Sequence, residues 1–152
     1  MNNKNSIEIK LNNAIHYFKL GDYDNALENY SIALKKDENY FLAYNNRGSL
    51  KIELGNYNDA LHDIDKCISI NSSYAPAYHN KGIIFYYQKK FSEAILFFDK
   101  AILLNPNYGK AFLNRGIVKQ IIRDELGACK DWIKSRELGI NISNTYLVYD
   151  CN

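Results

Sequence analysis

Small and large apolar residues recur along this chain at the three- and four-residue spacing of amphipathic helices. That pattern itself returns every 34 residues, so the chain lays out as four rows, 7–40, 41–74, 75–108 and 109–142. Each row predicts two helices joined by a short turn. The first helices are expected near 6–20, 41–54, 75–88 and 109–122, and the second near 24–36, 58–70, 92–104 and 126–138. Asn5 with Glu8 reads as an N-terminal capping pair, and Gly139 closes the last helix. Pro76 belongs in a first turn, where its missing N–H does no harm, and Pro106 stops one helix before the next begins. The expected fold class is all-α.

The columns of the rows carry the detail. The turn column reads Gly21, Gly55, Lys89, Arg123, and two residues on stand Tyr23, Tyr57, Phe91, Glu125. A small column reads Ala26, Ala60, Ala94, Ala128, followed by a large one of Tyr30, Ile64, Phe98, Trp132. Further small columns are Ala33, Cys67, Ala101, Ser135 and Ala14, Gly48, Gly82, Gly116. Glycine within a helix costs roughly 1 kcal/mol relative to alanine. Its recurrence implies close helix packing, with Gly48 expected opposite Ala60 across a hairpin.

These columns resemble the tetratricopeptide repeat (TPR) family over residues 7–142. Rows two and three fit best. Row four departs at its turn, where Arg123, Asp124 and Glu125 replace the usual glycine, polar and aromatic residues, and row one has Glu38 where a proline is common. The resemblance implies a right-handed α-solenoid of four helix–turn–helix repeats forming a single domain over 1–152, with a short C-terminal cap over 143–152. The stretch Gly127–Gly139 is also similar to the closing repeat of small bacterial TPR proteins.

Before each of the three glycines stand a cation and an amide. The residue before the small column Ala14, Gly48, Gly82, Gly116 reads Asn13, Arg47, Lys81, Arg115, and sixteen residues later the column reads Asn29, Asp63, Phe97, Asp131. Arginine occurs only in the rows that carry aspartate, which predicts ion pairs Arg47–Asp63 and Arg115–Asp131 within their repeats. The residue two before that small column is asparagine in all four rows: Asn12, Asn46, Asn80, Asn114. In TPR stacks this column points into the concave groove. The resemblance therefore implies a ladder of amides, each able to donate to and accept from the backbone of an extended peptide. Neighbouring groove positions include Asn45, His79, Ile83 and Tyr86, an apolar and aromatic lining with a few polar points. The family's carboxylate clamp for acidic chaperone tails is not expected. A start in row one would place Leu11 and Ile15 where lysine and asparagine are needed. A start in row two would place Asn45, Ser49 and Asn114 at three of its positions.

Composition narrows the functional classes. The chain has 152 residues, 47% hydrophobic and 24% charged, enough to bury a core. Its formal net charge of +2 is mixed along the chain, so neither nucleic acid nor a membrane surface is an expected partner. No secretory signal and no membrane span are read, and a cytoplasmic location is expected. Cys67, Cys129 and Cys151 are expected as free thiols. His16, His62 and His79 are dispersed, and no nucleophile motif or phosphate loop appears. No cofactor, metal site or enzymatic activity is expected. The tail is expected to pack on the last hairpin, with Ile142, Tyr146 and Tyr149 on one face.

The leading expectation is thus a non-enzymatic protein-interaction module that holds a peptide or protein segment in its groove through the asparagine ladder. The alternative is a self-assembling adaptor that uses its ends or convex side. A monomer or weak homo-oligomer is expected.

Overall fold

The structure is a computed structural model that describes residues 3–141 and 151. Among these residues lie eight helices: α1 (Asn3–Lys19), α2 (Tyr23–Lys36), α3 (Phe41–Glu53), α4 (Tyr57–Ile70), α5 (Ala75–Tyr87), α6 (Phe91–Leu104), α7 (Gly109–Ile121) and α8 (Glu125–Glu137). All but α1 begin and end within a residue of expectation. The first begins at Asn3, so Asn5 lies inside the helix rather than at its cap. Pro76 sits in the first turn of α5, as expected. The cap expected over 143–152 lies outside the described residues apart from Cys151.

The chain divides into two compact units, Met1–Ser72 and Ser73–Asn152. The division falls at a repeat boundary, because each repeat of such a chain packs mainly on its sequence neighbours. In the first unit, Leu11, Ala14, Ala26, Tyr30, Ala33 and Leu50 form the core. In the second, Phe98 packs with Ala94 and Val118, and Trp132 with Ala128.

All four turn residues take a left-handed backbone. Gly21 and Gly55 have φ of 74° and 76°, and Lys89 and Arg123 have φ of 59° and 67°. The turn geometry is therefore kept where glycine is not. The residue after each turn caps the second helix, and in two turns its side chain does the capping. Asp22 Oδ1 accepts from Asn25 N at 3.2 Å, and Asp124 Oδ1 from Gly127 N at 2.9 Å.

Gly48, Gly82 and Gly116 mark close helix approaches; Ala60 lies opposite Gly48 as expected, its backbone oxygen 3.4 Å from a Cβ built there, but a larger side chain is nearer still. A Cβ on Gly48 would lie 2.8 Å from Ile64 Cδ1, nearer than anything in Ala60. On Gly82 it would lie 2.6 Å from Phe98, and on Gly116 2.5 Å from Trp132 Nε1. Each glycine accommodates the large side chain of its hairpin, one turn beyond the alanine.

Both expected ion pairs form. Arg47 donates to Asp63 through Nε at 2.8 Å and Nη2 at 2.6 Å. Arg115 makes the same two-point contact with Asp131, its Nε at 2.8 Å. Lysines one turn on add a second cation to each carboxylate: Lys51 to Asp63 at 2.7 Å and Lys119 to Asp131 at 2.9 Å. Neither carboxylate is exposed, so the pairs are interior features of their hairpins. The third guanidinium nitrogen reaches the second helix of the preceding repeat. Arg47 Nη1 donates to Ser31 Oγ at 3.1 Å, and Arg115 Nη1 to Asp99 at 2.6 Å. Burial opposes the charge on Arg115, but Asp131 and Asp99 outweigh it and raise its pKa.

Candidate peptide-binding surface

In Met1–Ser72, Asn12 is exposed on α1 and Asn46 is half-buried on α3. Asn46 Oδ1 accepts a long bond from Asn45 Nδ2, at 3.3 Å. Asn45 itself is buried, 6% exposed. In Ser73–Asn152, Asn80 is 9% exposed and His79 is 5% exposed, while Asn114 is half-buried. Ile83 and Tyr86 are half-buried on the same helix.

Asn45 and His79 thus sit in the interior, in the column they share with the core residue Leu11. The signal was present in the sequence: leucine at this column in rows one and four marks it as a packing position. Polar residues there must be satisfied internally. His79 is, on both nitrogens. Asn114 Nδ2 lies 2.8 Å from Nε2, which therefore accepts, and Nδ1 carries the proton of the neutral ring, 3.4 Å from the Tyr108 hydroxyl. The Tyr108 ring meets the imidazole edge-on, with centroids 5.1 Å apart. Burial, and then the charge of Lys110, push the His79 pKa down to about 4, against hydrogen bonds to Asn80 and the Lys110 backbone that favour the cation. Burial pushes the Tyr108 phenol up to about 12.

The bond to His79 fixes the Asn114 amide with its nitrogen turned inward. Beside it, an open cavity of about 250 Å³ is lined by Ile83, Tyr86 and Tyr87 from α5, Phe98 from α6, and Asn114 and Ile117 from α7. Spacings of three residues, 83 to 86 and 114 to 117, place each pair on one helix face. The cavity wall is apolar and aromatic, with one amide. It can take a bulky apolar side chain beside a backbone group that needs a hydrogen-bond partner. Sequence reasoning missed Tyr87 and Phe98. Phe98 read as a core residue only, and Tyr87 stands outside the groove columns.

The cysteines differ from expectation. Cys67 is free and buried, its pKa pushed up to about 11 by burial. Cys129 and Cys151 are joined in a disulfide. Their separation of 22 residues carries no local pattern that would have signalled it. Among the described residues, no group of three His, Cys, Asp or Glu side chains could hold a metal ion, and no helix is long and apolar enough to cross a membrane.

A model described as TPR repeat matches residues 16–55, and models described as tetratricopeptide repeat match 42–74 and 75–108. This chain belongs to the tetratricopeptide repeat family. Its fourth TPR hairpin, α7 with α8, lies beyond those matches, yet it keeps the turn, the glycine and the ion pair of the second. No match was found among curated protein sequences. Solved structures share the all-α TPR solenoid fold. TTC0263, a thermophilic TPR protein from Thermus thermophilus, superposes with a TM-score of 0.80 at 22% identity, over 88% of this chain and 74% of that one. MamA from Desulfovibrio magneticus RS-1 gives 0.76 at 25% identity, over 89% and 76%. The first TPR of Spaghetti (RPAP3), solved bound to the HSP90 peptide SRMEEVD, gives 0.74 at 24% identity, over 78% and 94%.

Proposed function

We propose that this TPR protein is a non-enzymatic interaction module that holds an extended segment of another protein against its first helices. The observation that carries the reading is the cavity beside Asn114. Its wall of Ile83, Tyr86, Tyr87, Phe98 and Ile117 suits a bulky apolar side chain. With its nitrogen held by His79, the Asn114 amide leaves its oxygen free in this reading to accept from a ligand N–H. Asn12, Asn46 and Asn80 are assigned the same backbone-holding task in this reading, with Asn12 the most accessible and Asn80 the least. Asn45 and His79 act behind the surface by positioning. The fold also serves peptide binding in the RPAP3 domain solved with an HSP90 peptide. An acidic tail of that kind is not the ligand proposed here, because Leu11, Ile15, Asn45 and Ser49 supply no cationic clamp.

The test is a peptide-array and pull-down comparison of the wild-type protein with Ile117→Glu and Asn114→Ala variants whose circular dichroism is unchanged. Loss of captured partners in both variants is expected. Equal capture by all three proteins would overturn the reading.

A second reading, self-assembly, is favoured by one observation. Leu96 and Leu103, seven residues apart on α6, are 61% and 73% exposed. Under that reading, the mass measured by light scattering falls to the monomer in Leu103→Glu while peptide capture is unaffected.

A further inference from the structure

Cys129 lies in the second turn of α8, and its disulfide to Cys151 brings the two Cα atoms within 5.3 Å. Cys151 also packs, with Leu113 and Ile140, against the buried pair Ala128 and Trp132. Ala128 and Trp132 are the buried core of the α7–α8 hairpin. The sulfur pair is approachable. Cys129 is half-buried and lines a small surface cavity of about 50 Å³ with Gln120, Arg123, Glu125, Ala128 and Trp132. Cys67 has none of this access: it is fully buried.

We propose that Cys129 and Cys151 form a reversible thiol–disulfide site that fastens residue 151 over the Trp132 face of α8. Closure needs a low-molecular-weight disulfide such as glutathione disulfide. One cysteine thiolate attacks a sulfur of that disulfide, releases the first small thiol, and leaves a mixed disulfide on the protein. The second cysteine thiolate attacks the protein sulfur of the mixed bond and releases the second small thiol. Two protein thiols are oxidised, one small disulfide is reduced, and the two cysteine protons end on the two small thiols. Excess small thiol reverses the sequence. In the dithiol form, residue 151 is held by packing alone, so the Trp132 face opens more readily.

Trp132 is the one tryptophan of the chain, which makes the test direct. The purified full chain is equilibrated in oxidised or reduced glutathione, freed of it, and titrated with dithiobis(nitrobenzoic acid) while tryptophan emission is recorded. The oxidised native protein should show no reactive thiol, the reduced native protein two, and the oxidised protein in denaturant one, from Cys67. Peptide mapping of the oxidised monomer should find Cys129 linked to Cys151. Emission should shift to longer wavelength on reduction. A folded Cys151→Ser variant should show the reduced-form emission in either buffer. Two reactive thiols in the oxidised monomer, or a cross-link joining two chains, would overturn the site. Identical Trp132 emission in linked and unlinked forms would overturn the fastening.

Discussion

Phe97 stacks flat on Phe85, with centroids 5.2 Å apart and planes 7° apart, at the positions where the flanking repeats place Asp and Lys. Lys81 lies over the same Phe97 ring at 4.7 Å, where those repeats have arginine. The trio Arg47, Lys51, Asp63 and the trio Lys81, Phe85, Phe97 are thus two solutions of one site. One is ionic and the other aromatic, and each is self-consistent.

The two solutions predict unequal tolerance. Arg47→Met leaves the unexposed Asp63 carboxylate with Lys51 as its remaining cation, and should cost about 3–5 kcal/mol in urea unfolding. Copying the aromatic trio into the second repeat (Arg47→Lys, Lys51→Phe, Asp63→Phe) should be less destabilising than Asp63→Phe alone, which strands two cations. A triple variant less stable than the single one would contradict the equivalence.

Ser31 occupies the position where Asp99 balances Arg115 in the second unit. Among the described residues, Arg47 and Lys51 share the one carboxylate of Asp63, so the trio carries one excess positive charge. Ser31→Asp should raise the unfolding free energy by roughly 0.5–1 kcal/mol, less at high salt. Thermal unfolding in low and high sodium chloride measures both effects.

The glycines should rank by what stands opposite. Alanine recovers about 1 kcal/mol of helix propensity but adds a methyl to a filled space. At Gly48 the nearest obstacle is the terminal Cδ1 of Ile64, which has to move less than a ring, so Gly48→Ala should cost less than Gly82→Ala. At Gly82 it is the side of the Phe98 ring, from 2.6 to 3.0 Å away over three ring carbons, so the whole ring must shift and Gly82→Ala should cost about 1–3 kcal/mol. Denaturation midpoints of the two variants decide the order.

His79 gives a pH dependence of definite sign. Its pKa of about 4 in the fold lies below the ordinary 6.5, so the unfolded chain binds the proton more tightly. Stability from the neutral ring is complete above about pH 6.5 and is lost as pH falls toward 4, on the order of 3 kcal/mol. The melting temperature of His79→Gln should fall less over that window than the wild type's.

Lys89 and Arg123 hold left-handed conformations that cost a side-chain-bearing residue about 1–2 kcal/mol, partly offset by the greater unfolded freedom of glycine. Lys89→Gly and Arg123→Gly should each stabilise by about 0.5–1 kcal/mol, read as a rise in melting temperature.

Much of the fold was legible because its signals are local. A turn, a cap and a helix period each occupy a few residues, and the 34-residue recurrence repeats them four times. The Arg47–Asp63 pair was legible too, because comparison between rows stands in for comparison between proteins. The site was less so. Asn45 and His79 occupy a groove column by register, yet that column turns inward.

The sequence by itself determined eight helices, their hairpin pairing and the partners in the two ion pairs, since helix period and repeat register place those residues; that both carboxylates are buried came from the structure. Only the tertiary structure decided that Gly48 makes room for the Ile64 side chain as well as meeting Ala60, that His79 anchors Asn114, and that Cys129 joins Cys151. These facts depend on the angle at which helices cross and on which side chains fill the space between them. Neither is encoded in any short stretch of chain.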